Sequence, residues 1–122
     1  MRVLIVDDNN DILELLQRVL RVDGHQVITA RDGLDALQQE ATTQPDVVVC
    51  DVNLPGIDGW EVCRRLKARR NVPIMLLTVR AESVDVERSY EVGADEHLPK
   101  PFDITDFLSR IARMAASTPS AQ

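Results

Sequence analysis

Residues 46–59 read DVVVCDVNLPGIDG, and this stretch decides the architecture. Val47 to Cys50 is an unbroken apolar run within a strand expected over Asp46 to Cys50, and lack of alternation marks a strand covered on both faces. Asp51 ends the run. After a loop, Asp58 with Glu61 three positions later makes a capping-box-like start for a helix carrying Val62, Cys63 and Leu66. A buried strand followed by a helix is one repeat of a parallel sheet.

The same alternation extends in both directions. Strands are expected at Arg2 to Val6, Gln26 to Ala30, Pro73 to Thr78 and, least distinctly, around His97. VLIV and IMLL are continuous like VVVC and belong in the centre, whereas Gln26 to Ala30 is weaker and suits an edge. Ile12, Leu15, Leu16, Val19 and Leu20 hold helical spacing on one face of a first helix, which Gly24 closes. Leu34, Leu37 and Ala41 mark a second helix, with Trp60 packing at the start of the third. Ser83 to Val92 has only Val86 and Tyr90 well placed, so the fourth helix is expected to be the loosest. Asp103 can cap a fifth, along which Ile104, Phe107, Leu108, Ile111, Ala112 and Ala115 keep the spacing.

The chain has 122 residues, of which 44% are hydrophobic and 28% charged, enough for one domain with a single core. Residues 1 to 116 are expected to form it, with 117 to 122 a disordered tail or linker stub. Fourteen basic residues against twenty acidic ones leave a net charge of −6, which repels phosphate backbones and anionic membrane surfaces. Direct nucleic-acid binding and membrane association are therefore not expected. The apolar runs fall far short of the ~20 residues that span a bilayer. Asp7 and Asp8 interrupt the N-terminal run before a signal-peptide core forms, and Cys50 and Cys63 lack a disulfide or zinc-site pattern, so a cytoplasmic location is expected. A zinc site drawing on His25 or His97 lacks ligand spacing.

Ligands of an open parallel sheet bind beyond the carboxyl ends of its strands. Asp7 and Asp8 follow the first strand, Asp51 follows the third, Thr78 ends the fourth and Lys100 follows the fifth. Three carboxylates in one cleft repel one another unless a cation joins them. With one lysine present, a single divalent ion completes the balance, and an all-oxygen site suits Mg²⁺. The plainer reading, that each Asp caps the helix after it, explains one such residue better than three converging ones.

The pair DD at 7–8, VVVCDVNLPGIDG at 47–59, LLT at 76–78 and LPKPF at 98–102 together resemble the receiver domain of two-component response regulators, over about residues 1 to 116. The resemblance implies an α/β fold, a flavodoxin-like doubly wound five-stranded parallel sheet in the order 2-1-3-4-5 with five helices. It implies that Asp51 is phosphorylated by a histidine kinase or phosphotransfer protein. Asp8 and Asp51 would bind Mg²⁺ by their side chains, Asn53 by its carbonyl and Asp7 mostly through water. Lys100 and Thr78 would contact phosphoryl oxygens, and Pro101 matches a cis-peptide position. Thr78 and residue 97 would be a coupled switch acting on the face made by the fourth helix, fifth strand and fifth helix. That face would address a downstream effector protein or domain, with homodimer formation on phosphorylation a further option. Leu13 falls in the region receivers use for kinase docking.

Other functions fit less well. A haloacid-dehalogenase-like phosphatase needs a second Asp two positions after its nucleophile, where this chain has Asn53. A flavin carrier would place a Ser/Thr/Gly-rich phosphate loop where this chain has DDNN. A phosphorylation-independent interaction module would not need the intact acidic site. Arg64, Arg65, Lys67, Arg69 and Arg70 read as a solvated helix end rather than a docking patch. Arg88, Asp106 and Arg110 read as surface charges, with inter-subunit ion pairs the alternative.

Two positions depart from the family's pattern. His97 replaces the usual Tyr or Phe, and Val79 a usually small residue. Turning inward would bury the imidazole, whereas the plainer reading leaves His97 on the surface as a partner contact. The branched Val79 side chain would crowd the approach to a phosphorylated Asp51. Val79→Ala is therefore expected to speed both phosphorylation by small donors and hydrolysis of the product, and unchanged rates in a time course would show that residue 79 does not gate access.

Overall fold

The computed structural model describes residues 1–79 and 83–116. The expected tail at 117–122 lies outside the described residues. The elements alternate strictly: β1 (Arg2–Val6), α1 (Asn10–Val22), β2 (Gln26–Ala30), α2 (Gly33–Thr43), β3 (Val47–Asp51), α3 (Gly59–Arg69), β4 (Ile74–Thr78), α4 (Ser83–Glu91), β5 (Glu96–Pro99) and α5 (Ile104–Ala116). All strand pairs are parallel, in the order β2-β1-β3-β4-β5. This is the flavodoxin-like arrangement that the family resemblance implies. Among the described residues no helix is long and apolar enough to cross a membrane.

Alternate positions of each central strand feed opposite layers, as the two-residue period of a strand requires. Val3, Ile5, Val47, Val49, Met75 and Leu77 pack with the apolar faces of α1 and α5. Leu4, Val6, Val48, Cys50, Ile74 and Leu76 pack with α2 and α3. β3 begins one residue later than the sequence suggests and includes Asp51. Asp46 instead turns its carboxylate onto the backbone N–H of Arg2, at 2.8 Å.

Helix faces differ from the expected ones where size was taken as the guide to burial. Leu13 and Leu15 stand at opposite borders of the α1 stripe, since each residue advances roughly 100°. The helix rolls toward Leu13, which is buried with Leu16 and Leu20, and leaves Leu15 41% exposed. In α2 the inward residues are Gly33, Ala36 and Glu40, while Leu34 is 66% exposed and Ala41 is also outside. Close packing dictates this choice: a Cβ on Gly33 would lie 2.4 Å from Ile57 Cγ1 and 2.9 Å from Val62 Cγ2. Among the described side chains of α4 the buried one is Ser89, with Val86 half-buried and Tyr90 exposed. In α5 Phe107 and Ile111 are buried as expected, together with Met114, and Ile104 and Leu108 pack partly buried beside them, while Ala112 faces out. Asp103 does cap that helix, its carboxylate accepting from the Thr105 N–H at 2.8 Å.

Arg64, Arg65, Arg69 and Arg70 are exposed, as a solvated helix end requires, but they are paired. Arg70 donates to Glu40 at 2.6 Å, and Arg69 lies 3.4 Å from the same buried carboxylate. Arg69 and Arg70 also reach the carbonyls of Leu37 and Pro45. Lys67 donates to Asp95 at 2.8 Å. Glu61 accepts from Arg64 and Arg65, so only the Asp58 half of the expected capping box forms, with Asp58 accepting from the Glu61 N–H at 2.9 Å. Arg110 joins Asp106 and Glu96 within the chain.

The α2 face gives a direct test. Leu34→Gln is expected to change stability by less than about 0.5 kcal/mol, whereas Ala36→Leu should cost about 1–3 kcal/mol by overpacking. Urea unfolding of both variants measures the difference, and the reverse order would place the leucine face of α2 inward.

Candidate functional site

Strand register levels the site. Val6 pairs with Cys50, Asp51 with Leu77, and Thr78 with Pro99, so the residues that end or follow β1, β3, β4 and β5 meet at one edge. Carboxylate oxygens of Asp7, Asp8 and Asp51 lie within 4.8 Å of one another. Capping does not account for them. Asn9 caps α1, accepting from the Asp11 and Ile12 N–H groups at 2.9 and 3.2 Å, Asp32 caps α2 and Asp58 caps α3.

Lys100 lies between two of the carboxylates. Its Nζ donates to Asp7 Oδ2 at 3.1 Å and lies 3.3 Å from Asp51 Oδ1. Its backbone is held by donation from the Lys100 N–H to the Thr78 carbonyl at 2.8 Å, and the following bond to Pro101 is cis. Asp7 is 1% exposed and Asp51 5%, while Asp8 is open to solvent. Asp7 Oδ1 also accepts from the Asn9 N–H at 2.9 Å.

Burial pushes the Asp51 carboxyl above its usual range and the Asp7 charge adds to that, while Lys100 and the Asn53 backbone N–H offset them only in part. For Lys100, burial works against the ammonium, but Asp51 and Asp7 outweigh it and hold the pKa above the ordinary lysine value. Three carboxylates facing one ammonium leave two negative charges without a partner in the cluster. The donor set is all oxygen and partly open, which fits a hard divalent cation such as Mg²⁺. Cysteine is not part of it: burial pushes the Cys63 thiol up to about 12, and Cys50 is raised as well by burial and then by Asp51. A thiol held protonated is a poor metal ligand.

Thr78 is fully buried at the end of β4, on the same sheet face as Ile74 and Leu76. His97, which pairs with Leu76, points toward the α4 side and is 5% exposed. The surface reading of His97 is therefore corrected. Its Nδ1 lies 2.8 Å from Ser89 Oγ, and Trp60 Nε1–H donates to that oxygen at 3.0 Å. Val79, next to Thr78, is 65% exposed. Leu13 is a core residue, so its side chain is not open for docking.

Sequence reasoning passed over Gly59 as a site residue and Ser89 as a buried neighbour of His97. A Cβ on Gly59 would lie 2.3 Å from the Asp51 carbonyl oxygen and 2.7 Å from Val52 Cα. The start of α3 thus presses on the backbone that carries Asp51, and the Gly59 N–H donates to the Val52 carbonyl at 2.8 Å. The available signal was a glycine immediately after a helix N-cap. Ser89 carried none, because an isolated serine in a weakly amphipathic helix reads as surface.

Comparison with known proteins agrees with this geometry. Residues 3–112 match the family model described as response regulator receiver domain. The chain is 40% identical over 119 residues to the response regulator MprA of Mycobacterium avium, covering 97% of this chain and 52% of that protein. It thus spans about half the length of the curated relatives it matches. Among solved structures it resembles the BeF3-activated DrrB receiver domain, with TM-score 0.87, 34% identity and coverage of 94% of this chain and 97% of that one. The Vibrio cholerae chemotaxis protein CheY4 superposes with TM-score 0.86 at 32% identity, covering 93% of this chain and 97% of that one. By fold, acidic edge and sequence, the chain belongs to the response regulator receiver domain family.

Proposed function

We propose that Asp51 accepts a phosphoryl group from the phosphohistidine of a histidine kinase or phosphotransfer protein. The carrying observation is the Lys100 ammonium bridging Asp7 and Asp51 at the strand ends, beside a third carboxylate it does not neutralise. An Asp51 oxygen forms a bond to phosphorus as the donor's N–P bond breaks, and the electron pair leaves with the imidazole. Phosphoryl transfer asks the protein mainly for alignment and charge neutralisation, and this edge supplies both.

Asp8 and Asp51 would hold Mg²⁺ by their side chains, with the Asn53 carbonyl and, through water, Asp7. Held there, Mg²⁺ would supply positive charge for the phosphoryl oxygens. Lys100 stands where its ammonium can exchange a carboxylate contact for a phosphoryl oxygen, and Thr78 supplies a hydroxyl at the same edge. Thr78 and His97 carry the response to the surface formed by α4, β5 and α5. That surface would address a downstream effector protein or domain, or a second copy of the phosphorylated chain, in the cytoplasm. Asn53 at the position where a phosphatase of the haloacid-dehalogenase type needs a carboxylic acid weighs against turnover of external substrates.

Asp51→Asn is expected to abolish Mg²⁺-dependent labelling by acetyl phosphate, read as the mass increment of one phosphoryl group. Undiminished labelling at another residue would sink the assignment. Gly59→Ala should displace the Asp51 backbone, costing about 1–3 kcal/mol in urea unfolding and slowing labelling of Asp51. Wild-type labelling in a destabilised Gly59→Ala protein would separate the close approach from acceptor alignment.

A further inference from the structure

Ser89 holds a buried junction between three elements. Its hydroxyl meets Trp60 Nε1 of α3 at 3.0 Å, His97 Nδ1 of β5 at 2.8 Å and the carbonyl of Asp85, one turn back in α4, at 3.2 Å. Ser89 has no exposed surface, and Trp60 and His97 are buried with it. The indole is also covered by the Arg88 guanidinium, 4.2 Å from its ring centroid, which favours the observed ring position.

Counting protons restricts the arrangement. A serine hydroxyl has one proton to donate and two lone pairs to accept with. The indole N–H can only donate, and the Asp85 carbonyl can only accept. All three contacts are hydrogen bonds at once only when His97 Nδ1 carries a proton and donates to Ser89. An aromatic Phe or Tyr ring at position 97 has no nitrogen to make this bond, so the junction depends on the imidazole of this chain.

We propose that Ser89 is a positioning residue for the switch, its hydroxyl fastening the His97 imidazole inward by accepting from Nδ1–H and from Trp60 Nε1–H while donating to the Asp85 carbonyl. The inference deepens the reading of Thr78 and His97 as the switch pair of a phospho-acceptor at Asp51, and it rests on that reading. It adds a second physical connection to the acceptor, because Trp60 follows Gly59, whose Cα packs against the Asp51 backbone. His97 cannot turn outward without breaking the junction shared by α3 and α4. The inward arrangement is therefore favoured before phosphorylation, and phosphorylation has less left to change at residue 97. Losing one hydrogen bond of ordinary net strength should raise the outward-to-inward ratio about fivefold.

NMR of the imidazole tests this. In the wild-type protein the His97 Nδ1 proton should be observable and protected from exchange, and adding Mg²⁺ with beryllium fluoride should move the ring signals little. In Ser89→Ala that proton should exchange rapidly, and the ring signals should shift outward and then return on adding the same mimic. Asp51 should still be labelled by acetyl phosphate, which a general loss of structure would not allow. A wild-type ring protonated only at Nε2, or Ser89→Ala ring signals that superimpose on wild type, would overturn the proposal. The tautomer measurement on the free wild-type protein needs no variant and no phosphorylation. Failure of Asp51 to label would thus count against the acceptor reading, whereas the Nδ1 result decides the junction.

Discussion

Asp7 and Asp51 project from the ends of adjacent parallel strands, and one ammonium, that of Lys100, lies between them. Without it, two buried carboxylates would face each other in a partly desolvated cleft, which raises the cost of charging either one. The strand order forces the meeting. β1 and β3 are neighbours at the centre of the sheet, and the Lys100 side chain must reach past the end of β4 to meet them. The same edge that is costly to assemble without a cation is thereby suited to receive one, and then to receive a phosphoryl group.

The layer formed by α2, α3 and α4 is joined by polar contacts as much as by apolar packing. Glu40 of α2 is buried because Arg69 and Arg70 answer it from the end of α3. Lys67 reaches Asp95, whose carboxylate also accepts from the Ile74 N–H at 2.8 Å and so fixes the entry to β4. At the opposite end of α3, Gly59 lets the helix touch the backbone of Asp51, and Trp60 reaches into α4. A helix tied at both ends can transmit displacement from the acceptor loop where an isolated one would absorb it. Coupling through these contacts requires two alternative packings as well.

On the proposed reading of Thr78 and His97 as the switch pair, His97 changes the character of that region. A phenyl or phenol ring at this position would be directed by its apolar body, whereas the imidazole brings a ring N–H that needs a buried acceptor. Ser89 answers that need from a helix otherwise weak in apolar contacts. A polar junction also has stricter geometry than a hydrophobic contact, which favours two discrete arrangements over a continuous range.

The sequence alone determined the alternation of strand and helix, the central place of β1, β3 and β4, and the identity of the polar residues at their carboxyl ends. It could do so because continuous apolar runs and the residues that interrupt them are local features. Their positions after the strands of an open parallel sheet grouped Asp7, Asp8, Asp51, Thr78 and Lys100 at one edge, and the family resemblance supplied the strand order. Spacing also placed Leu16, Leu20, Val62, Cys63, Leu66, Phe107 and Ile111 inward, but the borders of the inward faces of α1 and α2 were decided only by the tertiary structure. Leu34 outside with Gly33 and Ala36 inside, and Leu15 outside with Leu13 inside, follow from the room left between packed elements, not from hydrophobicity. The burial of Glu40, Ser89 and His97 was hidden for the same reason: a polar side chain reads as surface until the partner that satisfies it, in each case from another element, is placed beside it.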